Sequence, residues 1–400
     1  MVNKRIAIIA PNSLPIPALQ SGGIEQLIEN IINQNELTPK VKITVISAYS
    51  PLTKHLEKKY INTHFINITY SLYTRCYNFL NRKIFSKILQ KEYFHHNILQ
   101  IMNYLKNNSF DKVVILGNDE QIIPISQIVT KEKIIYYQAT LMLNRANDFK
   151  LCNKILVGCD HSKQSILSHT KTLSENDVQV IQSGIDIEYF SNNKLSNKNI
   201  IREKYRIEKD IPLICYLGRL VASKGVIVLL NAALLLKNSL SFKLILIGSF
   251  GSDFGAKNKK GISDEEKEIK KLISELGDKC IVTGFINVED LPNYISSLDI
   301  GVVPSLVEDV SPLTYFQYQA LGIPTIVSDA GGIPEFYSPK YSIMVKRGSN
   351  MEKELANAMV ELIQNKEKHE LMEKASLENR EHLGIKRYFD DFIKLVVKNN

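Results

Sequence analysis

Cysteine is scarce and unpatterned in this 400-residue sequence. Its five cysteines are scattered, with no Cys-x-x-Cys or Cys-x-x-His spacing. That absence excludes a disulfide scaffold and argues against a metal site or a catalytic thiol. The odd number of cysteines and the apolar neighbours of Cys215 and Cys280 instead predict buried, reduced thiols. We therefore expect no metal ion and no bound cofactor.

Long hydrophobic runs are also lacking. No apolar stretch approaches the roughly 18 residues of a membrane-spanning helix. Residues 6–10 follow two basic residues and resemble the start of a secretion signal. The run is too short, however, and Pro11 follows it without a small-residue cleavage site. We interpret it as a buried first strand and expect a cytoplasmic protein.

The composition, 44% hydrophobic and 23% charged, is that of a globular protein and excludes disordered and collagen-like chains. The net charge is +8, and much of the excess lies in the segment 54–91. Its basic residues alternate with aromatic and aliphatic ones, and they include Arg75, Arg82, Lys83, Lys87 and Lys91. Such a pattern is typical of peripheral contact with an anionic membrane, or of a solvated helix face, which we favour. We expect no nucleic-acid partner.

Short apolar runs alternate with helical patterns along the whole chain, which predicts parallel sheets covered by helices on both faces. In the first half the predicted strands are 6–10, 43–47, 112–116, 134–137, 154–157 and 178–181, with helices at 24–34 and 93–106. In the second half the predicted strands are 213–217, 243–247, 280–283, 300–303, 325–327 and 342–345. The helices predicted between them are 227–237, 265–276, 288–296, 312–321 and 351–366.

A polar, Asn-rich segment at 191–199 separates the two series and is the best linker candidate. We predict an N-terminal domain over 1–190, a linker over 191–203, a C-terminal domain over 204–370 and terminal helices over 371–400. The predicted fold class is α/β, with two Rossmann-like doubly wound domains. Ligands of such sheets bind beyond the carboxyl ends of the strands, so we expect a site in the cleft between the domains.

The loop that follows the predicted strand 213–217 carries two cations. It begins at Gly218 and ends at Gly225, and it places Arg219 and Lys224 five residues apart. A glycine at a strand end permits close backbone approach, and two cations suit the charge of a diphosphate. The alternative is an ordinary loop with two exposed basic residues.

Ser311 and Pro312 are predicted to begin a helix, as its N-cap and its first helical residue. The N–H groups of Leu313 and Thr314 would then be free at the positive end of the helix dipole, which favours an anion. Gln317 lies four residues after Leu313, on the same face and about 6 Å further along the axis. One helix end could therefore bind a phosphate and a neighbouring sugar.

A Gly-Gly pair, Gly331 and Gly332, follows the predicted strand 325–327, and Glu335 opens the next element. The pair supplies backbone freedom near a ligand. Alone it is weak support for a binding site. Its place, one strand–helix unit after the predicted anion site, gives it weight.

Together these motifs resemble the retaining glycosyltransferases of family four, which have the GT-B fold. The resemblance is carried by the segments 15–25, 182–190, 218–225, 282–285, 305–324 and 331–335, in the family's order. It covers the chain from about residue 6 to residue 335. It implies a nucleotide-sugar donor, most simply a UDP-sugar, and a glycan acceptor.

The resemblance implies a role for each matched residue. Arg219 and Lys224 would hold the donor diphosphate and stabilise the leaving nucleotide without a metal. Phe285 would lie beside the nucleobase. The family's two glutamates fall at Asp309 and Gln317, which would bind the donor-sugar hydroxyls and the ribose. The other residues implied on the donor side of this domain are Gly218, Glu308, Val310, Ser311, Pro312 and Leu313.

Two of these positions depart from the family pattern. Asp309 keeps the charge with one methylene less, and Glu308 beside it could substitute through a loop shift. Gln317 loses the carboxylate but can still donate and accept hydrogen bonds. We interpret this as a divergent binding site rather than a dead one.

In the N-terminal half, the resemblance implies that Gly22 and Gly23 let their loop approach the phosphates and the acceptor. The family often has a histidine after the fourth strand of this domain, and Gln138 is the best candidate for that position here. In the family the C-terminal helix packs on the N-terminal domain. From the sequence alone it could equally cap the second domain.

The leading hypothesis is a retaining transferase that moves a hexose or N-acetylhexosamine to a bacterial surface glycan or a lipid-linked glycan. A nucleotide-sugar 2-epimerase with the same fold is an alternative, although the linear motifs fit it less well. A degenerate partner subunit or glycan-binding module is a third. The nucleobase, the sugar, the acceptor, the linkage and the oligomeric state stay open.

Overall fold

The computed structural model describes residues 4–11, 14–17, 22–69, 76, 96–141, 143, 145–194, 199–250, 263–287 and 289–397. The chain divides into two compact units, each with its own sheet. The first unit comprises Met1–Gly184 and Ile385–Asn400, and the second comprises Ile185–Gly384.

The first unit is built on a parallel sheet with the strand order β3-β2-β1-β4-β5-β6-β7. The strands are β1 Arg5–Ile9, β2 Lys42–Ala48, β3 Thr63–Ile68, β4 Lys112–Leu116, β5 Ile134–Gln138, β6 Lys154–Val157 and β7 Val178–Val180. The α-helices described here are Gly23–Leu37, His96–Lys106, Ile122–Ser126, Asp160–His169 and Ile385–Val397. Short 3-10 helices lie at Glu57–Lys59, Asp119–Gln121, Lys131–Lys133 and Ala146–Leu151.

The second unit has a parallel sheet with the order β10-β9-β8-β11-β12-β13. The strands are β8 Leu213–Leu217, β9 Lys243–Ile247, β10 Cys280–Gly284, β11 Ile300–Val303, β12 Thr325–Ser328 and β13 Ser342–Val345. The α-helices are Ile187–Lys194, Ile200–Tyr205, Val226–Leu236, Asp264–Leu276, Leu291–Ile295, Leu313–Ala320, Ile333–Phe336, Met351–Gln364 and Lys366–Glu378. Short 3-10 helices lie at Ala222–Lys224, Gly277–Lys279 and Arg380–Leu383.

The strands in the centre of each sheet are apolar on both faces because helices cover both faces. In β1, four consecutive residues, Ile6 to Ile9, are fully buried, and in β9 Leu244 to Ile247 are equally buried. Continuous apolar strands are what a doubly covered parallel sheet requires. Both strand orders pass outward from β1 or β8 in two directions, the Rossmann-like winding that the sequence predicted.

Three elements differ from what the sequence pattern suggests. β3 was not predicted, because His64 and Asn67 interrupt its apolar pattern. The predicted linker over 191–203 is helical at Ile187–Lys194 and Ile200–Tyr205, while 195–198 lie outside the described residues. The predicted helix 351–366 ends at Gln364, because the Asn365 side chain accepts the Lys368 N–H and caps a separate helix, Lys366–Glu378.

The helix Ile385–Val397 belongs to the first unit, although the 200 residues before it form the second. One apolar face is buried there, through Tyr388, Phe389, Phe392 and Val396. The Arg387 Nη2 atom donates hydrogen bonds to the carbonyl oxygens of Gln182 and Ser183, at 3.1 and 3.0 Å. These contacts fix the end of the chain on the unit that contains its beginning.

Among the helices described, none combines the length and the apolar character that a bilayer-crossing segment requires.

Candidate functional site

The predicted donor residues of the second unit gather at the carboxyl edge of its sheet. Parallel strands all end at one edge, so the loops after β8, β11, β12 and β13 lie side by side. Backbone hydrogen bonds join them: the Leu306 N–H donates to the Ser223 carbonyl at 3.0 Å, and the Gly332 N–H donates to the Asp309 carbonyl at 2.7 Å. Four segments that are far apart in sequence thus form one surface.

Lys224 and Asp309 form an ion pair at the centre of this surface. The Lys224 Nζ atom lies 2.5 Å from Asp309 Oδ1, and both side chains are partly shielded, 31% and 18% exposed. Asp309 is therefore the carboxylate that faces the predicted diphosphate loop.

Gly225 allows the loops after β8 and β11 to approach this closely. It has a φ of +78°, and it connects the 3-10 helix Ala222–Lys224 to the helix Val226–Leu236. A Cβ atom at this position would lie 1.8 Å from the Pro304 carbonyl oxygen. Any side chain would therefore push the two loops apart and separate Lys224 from Asp309.

Gly331 makes the matching approach from the loop after β12. Its φ is +56°, and a Cβ atom there would lie 2.5 Å from the Asp309 carbonyl oxygen and 2.7 Å from the Glu308 carbonyl carbon. The Gly-Gly pair thus packs directly on the backbone of the carboxylate loop.

Arg219 is the exposed cation of the site. Its side chain makes no ion pair within the described part of the chain. Its carbonyl oxygen accepts a hydrogen bond of 2.6 Å from the buried Tyr216 hydroxyl, which fixes the backbone of the loop. Burial raises the pKa of Tyr216 well above its usual range, and the Asp309 charge acts in the same direction. Tyr216 therefore stays a neutral donor.

A third support for this loop comes from Glu265. Its carboxylate accepts a hydrogen bond from the Ala222 N–H. Glu265 lies in the first turn of the helix Asp264–Leu276, which Ser263 begins by accepting the Glu266 N–H at 3.1 Å. The sequence motif gave no signal for this residue, because its partner is a backbone group.

The predicted cap of the helix Leu313–Ala320 is wrong. Pro312 occupies the N-cap position, and the buried Ser311 hydroxyl has no hydrogen-bond partner among the described residues. Pro312 still accepts the Tyr315 N–H at 3.0 Å through its carbonyl, so the first turn is closed by the backbone alone. Ser311 therefore does not contribute the capping hydrogen bond that its residue type predicted.

The helix start nevertheless keeps its open donors. In the described structure the N–H groups of Leu313 and Thr314 have no acceptor, as expected for the first positions of a helix. The Thr314 hydroxyl donates to the Leu217 carbonyl at 3.4 Å, which connects this end of the helix to the end of β8. The Gln317 side chain is partly exposed one turn later and makes no hydrogen bond to any described residue. Val310, next to Asp309 in the same loop, is buried.

Arg347, just after β13, is the site residue that sequence reasoning missed. Its Nη1 atom lies 2.7 Å from Glu308 Oε1 and 3.3 Å from the Leu306 carbonyl oxygen. Its Nε atom lies 3.3 Å from Asp329 Oδ1, and its Nη2 atom donates to the Asp329 carbonyl at 3.2 Å. The hydrogen bond to Glu308, and then that to Asp329, raise the already high pKa of Arg347. No motif pointed to it, since only the fold brings β11, β12 and β13 together.

Glu308 is thus engaged by Arg347 rather than by Lys224. The sequence left open whether Asp309 or Glu308 serves as the sugar-binding carboxylate. In the structure the two neighbouring carboxylates have different partners, Lys224 for Asp309 and Arg347 for Glu308. Asp309 is the one placed against the diphosphate loop.

Phe285 and Gly218 lie at the same edge, further from the ion pair. Phe285 follows the edge strand β10 directly and is partly buried. The Gly218 N–H donates to the Ile247 carbonyl at 3.0 Å, and the Gly248 N–H donates to the Gly284 carbonyl at 3.0 Å. These bonds align the ends of β8, β9 and β10.

Gly22, Gly23 and Gln138 belong to the first unit and stand at the carboxyl edge of its own sheet. Gly22 is the N-cap of the helix Gly23–Leu37, and Gln138 ends β5 in a fully buried position. Glu25 folds back over Gly22, where a Cβ atom would lie 1.9 Å from the Glu25 Oε2 atom. Burial raises the pKa of the Glu25 carboxyl. The structure places these residues but does not test their predicted contact with a donor.

The described residues contain no cluster of three or more metal-ligating side chains. Four cysteines, Cys152, Cys159, Cys215 and Cys280, are buried and free, and Cys76 is exposed. The predicted burial of Cys215 and Cys280 is confirmed.

Comparisons with known proteins indicate a family and a fold for this chain. Residues 197–379 match the family model described as Glycosyl transferases group 1. A lipopolysaccharide 1,2-N-acetylglucosaminetransferase of Salmonella typhimurium is 27% identical over 203 residues, 50% of each chain. Spore coat protein SA of Bacillus subtilis is 22% identical over 408 residues, 99% of this chain and 100% of that protein. The chain therefore matches half the length of one relative and the whole length of the other.

A solved structure of similar fold is that of Anabaena HepE in complex with UDP-glucose. It is 14% identical and gives a TM-score of 0.75 over 98% of this chain and 99% of that one. At this identity the similarity concerns the fold alone. It confirms the GT-B fold class that the sequence motifs predicted.

Proposed function

We propose that this chain, whose residues 197–379 belong to the glycosyl transferases group 1 family, transfers a hexose or N-acetylhexosamine from a nucleotide sugar to a glycan acceptor, with retention of configuration. The observation that carries the proposal is the surface formed by Arg219, Lys224 and the open N–H groups of Leu313 and Thr314. Two cations and a helix start lie in loops at the same edge of the sheet, and each of these groups favours an anion. A diphosphate is the ligand whose charge suits such a surface.

In the proposed reaction the bond between the sugar C1 and the diphosphate oxygen breaks. The acceptor hydroxyl oxygen forms its bond to C1 on the same face, and its proton passes to the departing phosphate oxygen. Arg219 and Lys224 stabilise the negative charge that develops on the diphosphate. The proposed reaction therefore needs neither a nucleophilic side chain nor a metal ion. Asp309 and Gln317 bind sugar and ribose hydroxyls.

Binding of Lys224 to a phosphate would loosen its ion pair with Asp309. Asp309 would then be available to accept hydrogen bonds from the hydroxyl groups of the donor sugar. The pair therefore links occupation of the diphosphate position to the availability of the sugar-binding group.

A uridine nucleotide is the donor we propose first, because HepE was solved with UDP-glucose. A thermal-shift screen against UDP-, GDP- and ADP-sugars tests this choice. A ligand at about 100 times its dissociation constant stabilises the folded chain by about 2.7 kcal/mol. Stabilisation by none of the three classes would contradict the proposal and favour a glycan-binding subunit without donor chemistry.

The acceptor we propose is a bacterial surface glycan, free or lipid-linked. The name of the Salmonella relative, a lipopolysaccharide N-acetylglucosaminetransferase, supports this class. Peripheral contact with a membrane through the basic segment 54–91 stays a prediction, since Arg75, Arg82, Lys83, Lys87 and Lys91 lie outside the described residues.

Product analysis separates the transferase from a 2-epimerase. An epimerase converts its donor in the absence of an acceptor, whereas a transferase releases only a slow hydrolysis product. With an acceptor present, proton NMR of the anomeric centre reports the configuration directly. An inverted anomer would overturn the retaining mechanism but leave the transferase assignment intact, and unchanged activity after chelation would support metal independence.

A further inference from the structure

Two neighbouring carboxylates in the loop after β11 face different partners. Asp309 pairs with Lys224 at 2.5 Å, and Glu308 pairs with Arg347 at 2.7 Å. The Glu308 side chain is 38% exposed, whereas that of Asp309 is 18% exposed. What distinguishes the two residues is the guanidinium group that holds Glu308.

Arg347 is unusually well fixed for a residue after a strand. Its own backbone N–H donates to Asp329 Oδ1 at 2.9 Å, and its Nε atom contacts the same oxygen at 3.3 Å. Its Nη2 atom reaches the Asp329 carbonyl at 3.2 Å, so Asp329 binds one side of the guanidinium. The other side carries Glu308 and the Leu306 carbonyl, at 2.7 and 3.3 Å. The planar group can satisfy both sides at once, which a lysine could not do.

We propose that Arg347 is a positioning residue for donor binding: it draws Glu308 away from the diphosphate loop, so that Asp309 alone faces Lys224. The proposal rests on the proposed function for its link to a nucleotide, but the position of the loop is a property of the free protein. Arg347 does not touch the diphosphate position itself. It acts through Glu308 and through the backbone of the loop 306–309.

Charge balance gives this arrangement its consequence. Lys224 pairs with Asp309, and Arg347 pairs with Glu308 and Asp329. Removal of Arg347 makes the charge beside the predicted diphosphate position more negative by one unit, and it removes the ion pair that holds Glu308 away from Lys224. Both effects oppose binding of an anion.

The loop also has backbone reporters. The Leu306 N–H donates to Ser223 and the Gly332 N–H donates to Asp309, so both amides are protected only while the loop holds its place. Exchange of these amides with deuterium therefore measures the position of the loop without any ligand.

The experiment compares Arg347→Met, Arg347→Lys and the double variant Glu308→Gln/Arg347→Met, with Lys346→Met as the control. Lys346 is the adjacent exposed cation, and its side chain makes no hydrogen bond or ion pair to any described residue. UDP affinity is measured by calorimetry, and deuterium uptake is followed in peptides that span 304–310 and 328–335.

We expect Arg347→Met to weaken UDP binding on the order of tenfold and to accelerate exchange in both peptides, because coupled charged neighbours typically contribute effects of that size. The double variant recovers most of the affinity, since it no longer carries the released carboxylate. The UDP affinity of Arg347→Lys lies between those of Arg347→Met and the double variant. Lys346→Met has the affinity and the exchange of the unmodified chain.

Two results would overturn the proposal. One is an Arg347→Met protein with unchanged affinity and unchanged exchange. The other is a double variant no better than the single one, which would indicate that Arg347 supports only the packing around β13. If the unmodified chain binds no nucleotide diphosphate, the proposed function fails, and unaltered exchange in Arg347→Met then decides against the positioning role on its own.

Discussion

Arg219 and Lys224 lie in the same loop, but the free protein uses them differently. Lys224 neutralises Asp309, whereas the exposed Arg219 has no ion-pair partner among the described residues. Loss of Lys224 therefore leaves a partly shielded carboxylate unpaired, and loss of Arg219 leaves nothing behind. Loss of Lys224 should therefore lower the stability of the protein more than loss of Arg219 does, even though both cations are expected to bind the donor diphosphate.

We expect Lys224→Ala to lower the free energy of unfolding by about 1–2 kcal/mol, the usual cost of an unpaired, partly shielded carboxylate. Arg219→Ala should change it by less than about 0.5 kcal/mol. Both variants should lose on the order of 10²–10³-fold in turnover, because each removes a group that stabilises the leaving diphosphate. Urea unfolding measures the change in stability, and steady-state kinetics measure the change in turnover. Undiminished turnover in either variant would remove that cation from the proposed site.

The buried thiol of Cys215 makes the free energy of unfolding depend on pH in the alkaline range. Burial raises its pKa from 9.0 to about 12. Between these values the folded chain keeps the proton that the unfolded chain has lost, so the free energy of unfolding falls as the pH rises. One such group contributes a slope of about 1.4 kcal/mol per pH unit.

A Cys215→Ala variant should therefore have a shallower decline in stability than the unmodified chain between pH 9 and 12. Its lower stability at pH 7, caused by the lost packing, does not affect this comparison of slopes. Urea unfolding in the presence of a reductant, repeated along the pH range, measures both. Parallel curves for the two proteins would contradict the assignment of a protonated, buried thiol.

At the scale of elements, the site depends on how closely three loops approach. Gly225 and Gly331 place backbone against backbone, with hypothetical Cβ contacts of 1.8 Å to Pro304 and 2.5 Å to Asp309. Neither approach can be relieved by turning a side chain, since the neighbouring atoms belong to the main chain. The close packing of these loops therefore depends on the lack of a side chain at Gly225 and Gly331 as well as on the ion pair between Lys224 and Asp309.

Gly225→Ala should destabilise the second unit by about 3 kcal/mol or more, through a positive φ together with overlap with the Pro304 carbonyl. Gly284→Ala is the matched control, because Gly284 has a similar φ of +75° but no atom within 4 Å of a Cβ. It isolates the conformational contribution, about 1 kcal/mol. Urea unfolding compares the two variants. Equal losses would indicate that the close approach to Pro304 contributes nothing.

Much of this element structure could be predicted from the sequence. The apolar runs of β4, β6, β8, β9, β11 and β13 have the bounds that hydrophobicity alone predicts. Such runs are local, and a doubly covered parallel sheet leaves few other places for them. β3 escaped prediction because His64 and Asn67 break its pattern, although pairing with β2 still makes it a strand.

Some residues of the candidate site could likewise be found from the sequence, and others could not. Lys224, Asp309 and the Gly-Gly pair could be predicted, since each lies in a short motif at a strand end. The capping role of Ser311 was predicted from its residue type and is wrong, because the backbone of Pro312 closes the first turn. Arg347 and Glu265 could not be found, because their partners come from other strands and from backbone groups that no linear pattern shows.

At the scale of the whole molecule, the chain leaves its first unit at Gly184 and returns to it at Ile385. The returning helix buries Tyr388, Phe389, Phe392 and Val396, and Phe392 is fully inaccessible. The preceding helix, Lys366–Glu378, belongs to the second unit and buries Met372. Two helices that are adjacent in sequence therefore stabilise different units.

Truncation of one large buried side chain in each of these helices should destabilise a different unit. Phe392→Ala should cost about 3–5 kcal/mol and Met372→Ala about 2–5 kcal/mol, the usual range for large buried side chains. Hydrogen exchange resolves where each loss is felt, because amides report the opening of the unit that contains them. We expect Phe392→Ala to accelerate exchange in residues 22–69 and 145–184, and Met372→Ala to accelerate it in residues 199–250 and 289–384. A Phe392→Ala protein whose exchange rises only near Gly384 would show that the returning helix does not stabilise the first unit.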